Sequence, residues 1–262
     1  MAVTAWRLLL TRPEADALAL QQWLATQGVA GSCFPLLATE PLAPSQILRQ
    51  HFLALDRYHA VVVVSKPAAR AGLAWVDQFW PQPLHDQPWF SVGAATGQIL
   101  TDYGIDTYWP TDGDDSEALL RLPKLQQVLQ TPDCRVLILR GEDGRDFFSQ
   151  TLRERGVQVD ILPVYRRFTP EYAQGALAQR IDDERLNGLV VSSGQGLQAL
   201  ISLLGPDWPR LQATPLFVPS ERVAQHARDA GAQCVFNCQG ASAEALWNTL
   251  TTVSALACLK KG

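Results

Sequence analysis

The 262-residue sequence has no excess of basic charge, since 22 lysines and arginines stand against 26 aspartates and glutamates. A net charge of −4 gives no electrostatic ground for binding nucleic acid or an acidic membrane surface. Long apolar runs are also missing. The longest uninterrupted ones, such as Ala60 to Val64, have the length of a strand, so no membrane-spanning helix is expected. The opening "MAVTAWRLLLTRPE" lacks a basic segment followed by a long apolar core, which argues against a secretory leader and makes the cytoplasm the expected location. Cysteines are few and unpatterned: Cys33, Cys134, Cys234, Cys238 and Cys258. Cys234 and Cys238 are close, but no second pair or nearby histidine completes a zinc set, so no metal is expected and the thiols read as buried or incidental. What remains is 47% hydrophobic and 18% charged residues, enough for one large globular core or two small ones.

The chain repeats itself. With Arg7 placed over Arg135, a shift of 128 residues, "RLLLTRPEADALALQQWLATQGVAGSCFP" lies over "RVLILRGEDGRDFFSQTLRERGVQVDILP" without a gap. Arg12/Arg140, Glu14/Glu142, Leu24/Leu152, Gly28/Gly156 and Pro35/Pro163 are identical pairs. The same shift lays "AVVVVS" (Ala60 to Ser65) over "GLVVSS" (Gly188 to Ser193). Similarity over such distances predicts an internal duplication.

Each copy alternates strands with helices. Val136–Leu139 is a short apolar β-branched run, the composition of a strand buried on both faces, and Val159–Leu162 is the next. Ala60–Val64, Phe90–Val92 and Asp106–Trp109 supply three more. Helices are predicted to begin near Pro67, Ala95 and Asp115, with Asp115 or Ser116, and Ser242, as capping residues and Gly156 as a stop. This alternation predicts an α/β fold with parallel sheets covered by helices. Two proline-bracketed segments, "PLLATEPLAP" from Pro35 and "PVYRRFTPEY" from Pro163, occupy equivalent places. The chain then either forms two sequential domains divided near residue 130, or crosses at 35–44, builds a second domain and crosses back at 163–170. Periodicity is compatible with both.

The ordered set "LLLTRP", "PLLATEPL", "VGAATGQIL", "GDDSEALL", "LRGEDGRDFFSQTLRERGVQVDILPVYRR", "VVSSGQGL" and "VPSERVAQHA" resembles uroporphyrinogen-III synthases, from Arg7 to about Leu250. The resemblance implies two similar Rossmann-like domains joined by a two-stranded linker, the first discontinuous: residues 1–38 with 168–262, and residues 39–167. It also implies an active site in the cleft between domains, no metal or organic cofactor, and a monomer. The implied reaction takes hydroxymethylbilane, a linear tetrapyrrole bearing acetates and propionates, to uroporphyrinogen III. Water leaves the hydroxymethyl carbon, a spiro intermediate inverts the last pyrrole ring, and the macrocycle closes.

The residues suit a polyanionic substrate. In open parallel sheets, ligands meet the loops at the carboxyl ends of the strands. Those loops carry Thr11 and Arg12, Ser65 and Lys66, Thr96, Arg140, Gly141 and Arg145, Ser193 and Gly194, and Ser220 and Arg222, all candidate substrate-binding residues. Free N–H groups at the following helix starts bind carboxylates as readily as phosphates. "LRGEDGRDFF" lacks both the Gly-Lys-Ser/Thr of a phosphate loop and a full dinucleotide turn, so its arginines either face the substrate or pair with Glu142, Asp143 or Asp146. Lys66 stands where the family frequently has serine, and Arg222 where the other copy has Thr96. By the resemblance, Tyr165 of "LPVYRR" is the proton donor to the departing hydroxyl; a phenol of ordinary pKa, about 10, is protonated at neutral pH. The competing reading makes Tyr165 a linker aromatic that packs on a domain face. At the level of function, the rival is a two-lobed small-molecule binding protein without catalysis. A two-lobed glycosyltransferase lacks its nucleotide signature here, and a receiver pair lacks its strand-end aspartates.

Overall fold

A computed structural model describes residues 6–80, 87–113, 115–144 and 146–253. Their contacts form two compact units: the described residues up to Ala38 with those from Phe168 onward, and Thr39–Arg167. Eleven strands follow one another along the described chain: β1 (Arg7–Leu10), β2 (Ala30–Cys33), β3 (Ala38–Pro41), β4 (Ala60–Val63), β5 (Trp89–Ser91), β6 (Thr107–Tyr108), β7 (Arg135–Gly141), β8 (Gln158–Phe168), β9 (Gly188–Val190), β10 (Leu216–Val218) and β11 (Val235–Asn237). The first unit's sheet has the order β11-β10-β9-β1-β2, and every pair in it is parallel. The second has the order β3-β8-β7-β4-β5-β6, parallel from β8 through β6. The expected α/β class with parallel sheets is the one observed.

Burial follows the period-two geometry of strands. Leu9 packs in one cluster and Leu8 and Leu10 in another, so β1 is buried on both faces. In the second unit Val61, Val63, Leu137 and Leu139 face one layer, while Ala60, Val62, Val136 and Ile138 face the other. Tryptophans serve packing: Trp89 is fully buried, and the Trp80 and Trp208 indoles donate to Phe52 O and Ala230 O.

Two features go beyond the strand pattern alone, and both fall on the two-stranded linker that the resemblance implies. The middle segment has six strands rather than five, because β3 joins β8 at the sheet edge, with Leu42 N donating to Val164 O at 3.0 Å. And β8 does not stop at Leu162. It continues through Pro163 to Phe168, with a bulge where Arg140 faces Pro163 but Gly141 faces Tyr165. The shift leaves Val164, next to the proline, without a partner on β7 and re-aims the side chains beyond it.

At the amino ends of β7 and β8 sits a polar cluster. Asp160 accepts from the Tyr58 hydroxyl at 2.9 Å and from Arg135 Nε and Nη2 at 2.9 and 2.7 Å. His51 Nδ1 lies 2.6 Å from the Tyr58 hydroxyl, and the Arg135 guanidinium stacks 4.7 Å over the Tyr58 ring. Burial, then the bond to Asp160, pushes the Tyr58 phenol well above its ordinary range. Burial alone would raise the Asp160 carboxyl, but bonds from Tyr58 and Arg135 outweigh it and hold it below the usual carboxylate range.

Candidate active site

In the second unit the chain builds outward from β4 to β5 and β6, then returns to lay β7 and β8 on β4's other side. The strand order therefore reverses between β4 and β7, the place where open α/β sheets hold ligands. A cavity of about 570 Å³ lies at the carboxyl ends there, lined by Ser65, Arg140, Gly141, Glu142, Phe148, Tyr165 and Arg167 among others.

Tyr165 is held in it from three sides. The bulge sets Tyr165 opposite Gly141, and the ring lies so close that a Cβ on Gly141 would sit 2.7 Å from the ring's Cζ. Only glycine leaves room for that ring. The phenol oxygen accepts from Ser65 Oγ at 3.2 Å and from Arg167 Nη2 at 3.3 Å. Ser65 is also the N-cap of the helix Lys66–Phe79, accepting from Ala68 N at 3.3 Å. Ser65 thus accepts from the helix amide through one lone pair and gives its own hydrogen to the phenol. With Ser65 and Arg167 both donating to it, the phenol keeps its own hydrogen for a third partner. Tyr165 is 3% exposed, so this partner must come from the cavity.

Arg140 also lines the cavity and bonds Asp146 Oδ1 at 2.7 Å, so the surface-pairing alternative holds for one nitrogen while the side chain stays largely buried at 13% exposure. It passes over Gly144, where a Cβ would stand 2.7 Å from the Arg140 Cδ. Arg145 lies outside the described residues. Lys66 opens its helix and is half-buried; Thr96, third in the helix Ala94–Asp102, is buried and does not line the cavity.

The first-unit residues have other surroundings. The Thr11 hydroxyl is buried and donates to Val190 O at 2.8 Å, and Arg12 Nη2 donates to Ala241 O. Burial lowers the Arg12 guanidinium's pKa, with Asp16 and Cys238 acting in the opposite direction. Ser193 caps the helix Gly194–Leu204 through Gly196 N at 3.0 Å, and a Cβ at Gly194 would meet nothing. Ser220 takes the N-cap position of Glu221–Asp229 without a side-chain bond, and Arg222 is exposed. Ser242 caps as expected, at 3.1 Å from Ala245 N. Of Asp115 and Ser116 it is Asp115 that takes the cap, at 2.7 Å from Ala118 N, because its backbone is extended while Ser116 is already the first helical residue. The sequence reading passed over Arg167, although its two-residue spacing from Tyr165 puts both on one face of a strand.

The family model described as uroporphyrinogen-III synthase HemD matches residues 19–248. Over 250 residues, 93% of this chain and 99% of theirs, it is 34% identical to the uroporphyrinogen-III synthases of Salmonella typhimurium and Escherichia coli. Among solved structures, uroporphyrinogen-III synthetase from Helicobacter pylori aligns with TM-score 0.59 at 13% identity, covering 95% of this chain and 99% of that one. A mutant uroporphyrinogen III synthase from Thermus thermophilus gives 0.58 at 17%, covering 98% and 100%. No helix among the described residues is long and apolar enough to cross a membrane. With its parallel α/β sheets and its match to the family model along most of its length, the chain belongs to the uroporphyrinogen-III synthase family.

Proposed function

We propose that this chain is a uroporphyrinogen-III synthase, a cofactor-independent lyase that acts as a monomer in the cytoplasm. It closes hydroxymethylbilane to uroporphyrinogen III with inversion of the terminal ring. Beyond the family membership, one observation carries the reading: the Tyr165 hydroxyl is held by Ser65 and Arg167 in the lining of the cavity at the strand reversal. Tyr165 hands its proton to the departing hydroxyl, so that water leaves as the carbon–oxygen bond breaks. General acid help of this kind is typically worth about 10² to 10⁴ in rate. The Arg167 guanidinium beside the phenol oxygen meets the negative charge which that oxygen gains. Arg140 offers charge to a substrate carboxylate, and the helix starts after Ser65 and Ser193 offer N–H groups.

The test supplies purified protein with freshly made hydroxymethylbilane and resolves isomers I and III by chromatography after oxidation. Product shifted from I to III, without added metal or cofactor, supports the proposal. Substrate bound while the product stays isomer I would replace it with a two-lobed binding protein.

A further inference from the structure

We infer that Arg167 is a positioning residue for Tyr165, an assignment that rests on Tyr165 being the proton donor. Its Nη2 lies 3.3 Å from the phenol oxygen and its Cζ 5.9 Å from the ring centroid, within cation–π range. Neighbouring Arg166 bonds Glu40, whereas among the described residues no carboxylate stands within ion-pair distance of Arg167. The phenol is its only hydrogen-bond partner among those residues.

Three contacts hold Tyr165. The missing Cβ of Gly141 accepts its ring, Ser65 fixes its oxygen from the β4 side, and Arg167 fixes the oxygen from Tyr165's own strand. Together they fill the oxygen's acceptor sites and aim its hydrogen into the cavity. When the substrate's carbon–oxygen bond breaks, the departing hydroxyl takes that hydrogen and leaves as water. The phenolate then sits against a guanidinium, and it recovers a proton when the closed macrocycle releases one. Arg167 thus acts through Tyr165, in the transition state more than in substrate binding.

The test compares the full chain with Tyr165→Phe, Arg167→Gln, Arg167→Lys and the double variant Tyr165→Phe/Arg167→Gln. It measures kcat and KM for isomer III formation, with thermal melts to verify folding. Arg167→Gln is expected to lower kcat roughly 10- to 100-fold, the loss of one charged hydrogen bond, with KM little changed. In the Tyr165→Phe background the same substitution should cost nothing further, and Arg167→Lys should recover part of the loss. Effects that multiply in the double variant, or fall on KM alone, would overturn the inference while leaving Tyr165 as donor. Wild-type turnover in Tyr165→Phe would remove the donor itself and Arg167's role with it, a different pattern of results.

Discussion

At the strand reversal of the first unit, between β1 and β9, Pro13 follows Arg12; at that of the second, between β4 and β7, Gly141 follows Arg140. Under the 128-residue shift Leu37 stands where Tyr165 does, and Thr39 where Arg167 does. The frames are otherwise alike: once β1 is laid over β7, both sheets keep the same neighbour order. Ser65 and Ser193 even cap equivalent helices in the same way. The difference lies in one pair of fitted residues. Glycine opens the end of β7, and the tyrosine of β8 fills that opening with a ring whose hydroxyl reaches a cavity. In the first unit the aligned arginine donates to Ala241 O instead. Helix ends and capping serines are thus shared architecture. The fitted pair is what sets one end of one sheet apart from the other.

The largest test of that contrast removes a single oxygen. Tyr165→Phe is expected to lower isomer III formation by about 10² to 10⁴ while melting close to wild type. The ring still fills its place, and the two groups left behind border the cavity, where water satisfies them. Near wild-type turnover would erase the distinction between the two ends. Gly141→Ala comes next. A methyl 2.7 Å from Cζ must displace the ring, and a misplacement of about 1 Å costs on the order of 10²-fold in rate. Gly194→Ala, where a Cβ meets nothing, should leave turnover within about twofold. Equal losses at both glycines would contradict the steric account.

These outcomes depend on features that the sequence displays unevenly. The strands were legible because residues such as Ala60–Val63 and Val136–Leu139 are apolar without interruption, as burial on both faces requires. Gly156 was legible as a stop and has φ +82°, a conformation that other residues rarely adopt. The cap in "DDSEALL" was legible only as a choice between Asp115 and Ser116, because aspartate and serine compete at adjacent positions and only the backbone geometry chooses. The continuation of β8 through Pro163 was legible only from the family resemblance, since a proline ordinarily ends ladder pairing and the register shift beside it involves a strand about twenty residues away in sequence. Least legible was the fate of the two aligned arginines. Arg12 and Arg140 look equivalent in sequence, yet Arg12 meets a carbonyl 229 positions further on, a contact that no local pattern encodes.

That divergence can be sharpened with the arginines themselves. Arg140→Gln should raise KM about tenfold or more, as expected for one charged hydrogen bond to a substrate carboxylate. Arg12→Gln should leave KM near wild type and act on the melting temperature instead, because its partner belongs to its own unit. Titration of initial rates against substrate, together with melts of both variants, separates the two. A KM increase at Arg12 matching that at Arg140 would make the two strand ends functional equals.

The smallest effect concerns the opposite ends of the same strands, where Asp160 in β8 aligns with Ser32 in β2. The groups that face Asp160 are Tyr58, Arg135 and His51. Because its folded-state pKa is depressed, its contribution is present above the unfolded value of about 3.9 and is lost as pH falls through the lower folded value. Tyr58 behaves oppositely. Its raised phenol contributes below about pH 10 and loses that contribution only as pH rises through the folded value. Near neutrality both are in place. With the Arg135 and Asp160 side chains 36% and 32% exposed, solvent screening limits the cluster to about 1 kcal/mol. Asp160→Asn should therefore lower the melting temperature by roughly 2–4 °C at pH 7, and the gap from wild type should close below about pH 4. Melts from pH 2.5 to 8 decide it: a gap that stays constant into acid would mean that the amide loses packing alone and that the carboxylate's charge adds nothing to this end of the sheet.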